Sequence, residues 1–315
     1  MKKIKLLVTG ANGFMGRNIF EYFSRRDDFE VFGTFYKRMP EVPNQNLVQA
    51  DLMNKADANR VSKDMDIIIH AAAISAGAKY IVENPGFLLD NTIINTNILE
   101  AAHLNNVGRF IFLSCSVLYP MDLGRPVRED DFDVKRIHPK YHAGAWVKIY
   151  GEKLAEFYST LGRTRFTVAR HSNNYGPYDK FDLDRSHVLS ATITKVMQAP
   201  DGGEIVIWGD GKGRRDFLYI PDLIRFLEMI LASNWKFEVF NIGMGEALSV
   251  NELTDVIIAS SGKNLKVRHD TSRPSIGGVN LAMDISKAKE VVGWAPSVDL
   301  KSGIGMTLGW YKNNL

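Results

Sequence analysis

Three glycines stand three residues apart in Gly10-Ala11-Asn12-Gly13-Phe14-Met15-Gly16, directly after the apolar run Leu6-Leu7-Val8. An amphipathic segment follows at once, with Ile19, Phe20, Tyr22 and Phe23 among its residues. Strand, tight turn and helix in that order can hold a pyrophosphate. Gly10 allows the turn, Gly13 lets backbone approach the phosphates, and Gly16 lets the helix pack close to the strand. The helix start then offers free N–H groups and a positive dipole end to the anion. The spacing is G-x-x-G-x-x-G, not the G-x-G-x-x-G of the commonest dinucleotide fingerprint. Asn12, Phe14 and Met15 fall inside the turn and are expected to line the same ligand. After the second strand a carboxylate would hold a ribose 2′-hydroxyl, whereas a basic residue suits a 2′-phosphate. Gly33-Thr34-Phe35-Tyr36-Lys37-Arg38 supplies no acid and two cations, so NADP is the expected cofactor and NAD the alternative.

These residues need a sheet to position them, and the first half of the chain supplies the signals for one. Strand candidates run over Glu30–Phe35, Leu47–Ala50 (ending at Asp51-Leu52), Met65–His70, Phe110–Leu113 and Arg165–Ala169. Helical spacing covers Phe87–Asn105, and Gly151–Leu161 belongs to a long helix begun near Ala143. Continuous apolar strands alternating with helices predict an α/β fold: a doubly wound, Rossmann-like parallel sheet with helices on both faces. Ligands of such sheets sit beyond the carboxyl ends of the strands. From residue 176 the pattern changes. Gly176-Pro177-Tyr178 opens a polar loop through Arg185, whose Asp179, Asp182 and Asp184 are expected to be solvated rather than metal-binding. Ser190–Gln198 is helical, Glu204–Trp208 is a strand, and Ser249-Val250-Asn251-Glu252 is a capping box. Asp284–Val292 is the last helix candidate. The expected division is a dinucleotide-binding domain over 1–175 and a smaller α/β substrate lobe over 176–315, with the chain free to recross.

Composition narrows the class. A net charge of +3 over 315 residues, without blocks of like charge, gives no reason to expect nucleic acid or a membrane surface as partner. Cys115 is the single cysteine, so no intrachain disulfide forms and a reducing, cytoplasmic location is expected. The apolar run at the N-terminus is too short for a signal peptide, and no stretch approaches the ~20 apolar residues of a membrane span.

With these residues in view, nearly the whole chain resembles the extended short-chain dehydrogenase/reductases that act on nucleotide sugars. The shared features are the Gly10/Gly13/Gly16 turn, Asp51-Leu52, Ala71-Ala72-Ala73, Leu113-Ser114-Cys115-Ser116-Val117-Leu118-Tyr119-Pro120 and Lys148-Ile149-Tyr150-Gly151. Asn173-Asn174-Tyr175-Gly176-Pro177, Trp208-Gly209-Asp210-Gly211 and Arg215-Asp216-Phe217 extend the match. Gly176-Pro177-Tyr178-Asp179 with Ser186-His187-Val188 resembles the GDP-L-fucose synthase branch in particular. The resemblance implies a nicotinamide-dependent oxidoreductase or epimerase working at C4 of a nucleotide-linked, GDP-type sugar. It groups Asp51, Leu52, Ala71, Ala72, Ala73, Asn91, Ser114 and His171 with the cofactor, and Lys148 with the nicotinamide ribose. Ser116, Asn173, His187, Val188, Lys195, Arg215 and Arg273 fall with the substrate, the three cations on its diphosphate. Trp208 lines the nucleotide pocket or fills the lobe core. Phe87–Asn105 and Ala143–Leu161 resemble the helices that pair across the family's homodimer.

The sequence departs from that pattern where protons move. The family uses a tyrosine four residues before its lysine, and four residues before Lys148 stands Gly144. The Ser or Thr expected four residues before Tyr119 is Cys115, and the fucose-synthase cysteine two residues before it is Val117, while His187 is kept. Tyr141 lies seven residues before Lys148, about 10 Å along a helix at 1.5 Å rise, and serves only if the chain bends at His142-Ala143-Gly144. His187, Tyr175 and Tyr178 are the other candidates for the missing acid, beside a water or a substrate hydroxyl in the space that glycine opens. Cys115 and Tyr141 therefore join Lys148 and His187 as catalytic candidates. The alternative function is a degenerate relative that binds dinucleotide and nucleotide sugar without turnover.

Overall fold

The structure is a computed structural model that describes residues 2–41, 44–75, 84–183, 186–272 and 279–315. Asp184 and Arg273 lie outside the described residues. Its centre is a seven-stranded sheet built from β1 (Ile4–Thr9), β2 (Phe29–Phe35), β3 (Leu47–Gln49), β4 (Ile67–His70), β5 (Arg109–Cys115), β6 (Arg165–His171) and a late strand, Phe237–Ile242. The short strands β7 (Asn173–Tyr175), β8 (Glu204–Trp208), β9 (Arg214–Arg215) and β10 (Phe217–Tyr219) precede that late strand, which is β11. The sheet order is β11-β6-β5-β4-β1-β2-β3 and every pairing is parallel. This is the expected doubly wound arrangement. β12 (Leu248–Ser249), β13 (Lys266–Asp270) and β14 (Asn280–Leu281) complete small two- and three-stranded sheets with β8 and β9, and β10 pairs with β7.

The unbroken apolar strands are explained by two cores. Leu6, Val8, Ile67, Ile69, Ile111 and Leu113 face one core, while Leu7, Ile68, Phe110 and Phe112 face the other. Successive side chains of a strand point to opposite faces, so a strand covered by helices on both sides must be apolar throughout. The covering helices are α1 (Phe14–Ser24), α2 (Lys55–Ser62), α3 (Asp90–Leu104), α4 (His142–Leu161) and α6 (Ile220–Ile230). A third core, with Leu189, Ile193, Ile205, Phe217, Leu253, Ile257 and Ile304, joins α5 (Val188–Gln198) to α7 (Val250–Ser261) and α8 (Leu300–Asn314).

Several sequence expectations change. Asp284–Val292 is not the last helix: it coils from Ser286, ending in a π-type turn over Ala288–Val292, and α8 follows it. The predicted helix over Phe87–Asn105 is split, a 3-10 turn at Pro85–Leu88 leading into α3. Asp179 is not a solvated loop residue. It is buried, and its carboxylate accepts from the Ser190 hydroxyl and the Lys180 N–H. β11 brings residues 237–242 back to the edge of the central sheet beside β6.

Candidate active site

The carboxyl ends of the central strands meet on one side of the sheet, and the residues picked out by their chemistry collect there. Gly10 follows β1 with φ +68°, and a Cβ on it would lie 2.7 Å from the Ala72 Cα. A Cβ on Gly16 would lie 2.1 Å from the Gly10 carbonyl oxygen. No side chain caps α1 at Gly13, and its first turn holds no acid. The Gly10, Ala11 and Gly13 amides are taken up inside the turn, while the helix start behind it has no side-chain cap; such a helix start, after a turn that tolerates no side chain at Gly10 or Gly16, fits a dinucleotide pyrophosphate. The Asn12 amide donates to the Arg38 carbonyl (2.8 Å), tying the turn to the segment after β2. Phe14 and Met15 pack partly exposed at the start of α1, and the Asn174 amide approaches the Met15 sulfur at 3.8 Å.

Around this turn the other predicted cofactor residues divide. Ala71, Ala72 and Ala73 continue β4 past the turn, and the Ala72 N–H donates to Thr9 Oγ1 (3.1 Å). Thr9 donates in turn to His70 Nδ1 (2.8 Å), so His70 Nε2–H donates to Asn95 Oδ1 (3.1 Å). Burial holds His70 down to about 4, so this ring stays neutral in the chain. Asn91 turns both amide groups onto the Ile74 backbone (2.7 and 2.9 Å), which fixes the segment after β4. Asp51 accepts from the Met53 N–H (3.0 Å), and Leu52 is a core residue. Lys37 and Arg38 are exposed. Yet Arg38 donates to Glu41 (2.6 Å), which also accepts from Arg17 (2.7 Å), an acid the short sequence window did not include.

The reactive groups gather at the ends of β5 and β6 and the start of α4. Lys148 donates from Nζ to the Leu113 carbonyl (2.7 Å) and lies over the Phe112 ring, its centroid 5.2 Å away. Burial lowers its pKa while Cys115 and Glu152 pull it back up. Cys115, at the end of β5, has its thiol raised by burial and drawn down by Lys148. His171, ending β6, donates from Nδ1 to the Ser172 carbonyl (2.8 Å) and is held to about 4 by burial, with Lys148 and His187 adding repulsion. His187 precedes α5, its pKa lowered by desolvation and drawn up by Asp179. Tyr141 is not on the helix. It is the N-cap of α4 at the end of a 3-10 turn, Pro139–Tyr141, so the change of direction falls just before His142-Ala143-Gly144, which are themselves helical. Its hydroxyl is raised by burial and drawn down by Arg215, and it senses the Cys115 thiol. Gly144 is helical without need. A Cβ there would meet only Leu88 Cδ1, at an ordinary 3.4 Å.

Behind these groups lies a buried network that sequence reasoning missed. Glu152, one turn beyond Lys148, accepts from the Arg170 guanidinium (2.7 to 3.1 Å) and at 2.5 Å from the Ser114 hydroxyl. Arg170 also donates to the Tyr119 hydroxyl (2.7 Å) and the Glu129 carbonyl (2.8 Å), and Tyr119 donates to Asn241 on β11 (2.7 Å). Burial opposes the charge on Arg170, but Glu152 outweighs it and its pKa is raised. Ser114 therefore faces this network. Ser114, Glu152 and Arg170 adjoin or follow Cys115, Lys148 and His171, so one buried ion pair ties together the three elements that carry the reactive groups.

The predicted substrate residues come from the turn after β5, from β7 to β9 and from α5. Asn173 donates to the Asp216 carbonyl (2.9 Å), and Ser116 is buried in the turn after β5. Lys195 donates to the Val206 carbonyl (2.7 Å) with its ammonium 5.3 Å from the Trp208 ring centroid, and Val188 packs in the third core. Asp216, pushed up to about 6 by burial, accepts from the Met244, Gly245 and Met283 amides. Among the described residues no group of three His, Cys, Asp or Glu could hold a metal, and no helix is long and apolar enough to cross a membrane.

Comparison with known proteins agrees with this architecture. The model of the NAD dependent epimerase/dehydratase family matches residues 6–243. GDP-L-colitose synthase of Yersinia pseudotuberculosis is 32% identical over 98% of both chains. GDP-L-fucose synthase of Sinorhizobium fredii is 29% identical over 99% of this chain and 96% of its own. The crystal structure of UDP-glucose 4-epimerase with UDP-glucose from Thermotoga maritima superposes with a TM-score of 0.85 at 25% identity, covering 98% of this chain and 99% of that one. Family model, full-length relatives and fold agree: this chain belongs to the NAD dependent epimerase/dehydratase family.

Proposed function

We propose that the protein is an NAD(P)-dependent epimerase or reductase acting at C4 of a nucleotide-linked sugar, with Tyr141 in place of the usual tyrosine. The observation that carries this is the set of Lys148, Cys115, Tyr141 and His171 at the strand ends that also carry the glycine turn. The names of the full-length relatives favour a GDP-linked substrate. Gly10, Gly13, Gly16 and the start of α1 would hold the dinucleotide, which supplies hydride exchange when bound. Lys37 and Arg38 favour a 2′-phosphate, and hence NADP, on the side where Glu41 already shares one of them. A buried phenol kept protonated at neutral pH is a proton donor, and Arg215 beside it stabilises the phenolate left behind. That suits protonation of a C4 oxyanion as a ketone is reduced. Lys148 adds positive charge at the same oxygen, and Cys115 offers a weak hydrogen bond. Arg215 and Lys195 would meet the diphosphate, Asn173 a phosphate or sugar group, and His187 the sugar. A homodimer through α3 and α4 belongs to this reading.

The test is single-turnover absorbance of the reduced nicotinamide on mixing protein loaded with NADPH or NADH with GDP-4-keto-6-deoxymannose. Oxidation by the parent, slowed about 10²-fold or more in Tyr141→Phe, is expected. A parent that binds the sugar nucleotide without oxidising the cofactor, while Gly144→Tyr reacts, would favour the second reading that Gly144 itself motivates: a relative that binds without turnover.

A further inference from the structure

The amino ends of the same strands carry a second cleft, on the face opposite the glycine turn. Lys2, Lys3, Ile4, Asp66, Arg109 and Arg165 line it, beside the segment Leu231–Ser233 that follows α6, and this largely open depression has a volume of about 460 Å³. Four of these side chains are cationic and one is acidic. The Asp66 carboxylate already accepts the Lys5 N–H at 2.9 Å. Arg109 opens β5 and is only 4% exposed. It donates to Thr167 Oγ1 (3.3 Å) and to the Ser233 carbonyl just past α6. The carbonyls at that helix end offer it partial negative charge, but no carboxylate pairs with Arg109 or Arg165 among the described residues, and Arg109 Nε makes no hydrogen bond there. Burial and the neighbouring Arg165 together work against its charge.

A buried guanidinium without a counter-ion is costly, and a second one facing it adds repulsion. An anion in the cleft would relieve both. Guanidinium forks match phosphate oxygens, and four cations around one cavity suit a multiply charged anion better than a single carboxylate. The volume lies in the range of small-molecule sites. β5 separates Arg109 from Cys115 by six residues, about 20 Å at strand rise, so a ligand here would not touch the reacting groups. We propose that this cleft at the amino edge of the sheet is an anion site for a phosphorylated small molecule of pyrophosphate or nucleoside-diphosphate type.

Calorimetric titration of inorganic pyrophosphate into the protein presaturated with NAD at about 50 mM salt tests it. Beside any binding at Arg215 and Lys195, one further site is expected in the parent, and this one is weakened at least ten-fold in the exposed-residue variant Lys3→Glu/Arg165→Glu, with NAD affinity equal in both. Arg109→Met should weaken binding further, and the surface pair keeps the test valid should Arg109→Met fold poorly. Guanosine diphosphate in place of pyrophosphate distinguishes a nucleotide from a free diphosphate, and for either ligand only the binding that Lys3→Glu/Arg165→Glu weakens supports the site. Absence of pyrophosphate binding, or equal binding in parent and surface variant, overturns the proposal. Citrate binding as tightly as pyrophosphate overturns the phosphate assignment.

Discussion

At the scale of single residues, the glycines of this chain separate into those the backbone demands and one it does not. A methyl on Gly16 would sit 2.1 Å from the Gly10 carbonyl, whereas one on Gly144 meets Leu88 at 3.4 Å. Gly16→Ala should therefore weaken dinucleotide binding by more than ten-fold and lower stability, read by cofactor titration and thermal melting. Gly144→Ala should raise stability by about 0.5–1 kcal/mol, the helix-propensity gain. A melting temperature lowered by Gly144→Ala would show that the glycine is structural after all. His70 gives a pH prediction of definite sign. Its folded pKa is about 4 against an ordinary 6.5. Between these values the unfolded chain binds the extra proton, so stability present above pH 6.5 is lost as pH falls towards 4, by up to about 1.4 kcal/mol per pH unit. His171, also held to about 4, acts in the same direction as His70, and Asp216, raised to about 6, in the opposite one between 6 and 3.8; both are common to parent and variant. His70→Gln should flatten the acid limb of a denaturation-derived stability profile. Parallel limbs would mean that His70 does not titrate on unfolding.

At the scale of elements, β5, α4 and β6 are held in register by Ser114, Glu152 and Arg170, all buried. Removing one charge strands the other. Glu152→Met should cost about 3–5 kcal/mol, and Glu152→Met/Arg170→Met should recover much of that. Urea unfolding of the four-member cycle measures the coupling; additive losses would sink the idea of a joint clamp. How far such features can be seen in a sequence follows from their range along the chain. The strand–turn–helix at Gly10–Gly16 was legible because its glycine spacing and flanking apolar runs lie within a few residues. The turn that takes Tyr141 off α4 was looked for at His142-Ala143-Gly144, but those residues are helical and the turn lies one step earlier, at Pro139–Tyr141. Glu152 and Arg170 were invisible as a pair, since 18 residues separate them and only the adjacency of α4 and β6 joins them. β11 was missed for the same reason: Phe237–Ile242 alternates Glu238 and Asn241 with apolar residues, and its partner β6 starts some seventy residues earlier. Asp179 looked solvated in a polar run because burial by Ser190 on α5 is a tertiary event.

At the scale of the whole molecule, α3 and α4 leave an apolar face uncovered. Leu89, Ile93 and Leu104 are exposed along and just before α3, and Trp146, Tyr150, Phe157 and Leu161 along α4. The first set is spaced i, i+4, i+15 and the second i, i+4, i+11, i+15, so each forms one stripe, and the two helices already pack side by side with Thr96 and Tyr150 hydroxyls 3.0 Å apart. Two parallel stripes of this kind bury best against their own copy, since a twofold axis sets each stripe against its equivalent and closes a four-helix layer. The homodimer of the proposed function would use this face, which lies on α4 residues pointing away from Lys148. Ile93→Glu/Phe157→Glu should then give a monomer by light scattering where the parent gives a dimer. The variant would keep its secondary structure, because both side chains are solvent-facing in the single chain. Turnover is the sharper readout. The start of α4 carries Tyr141 and Lys148, so loosening a dimer face on the same helix should lower kcat more than cofactor affinity, which rests on the β1–α1 turn. A monomeric parent, or a variant that stays dimeric, would separate this face from the assembly.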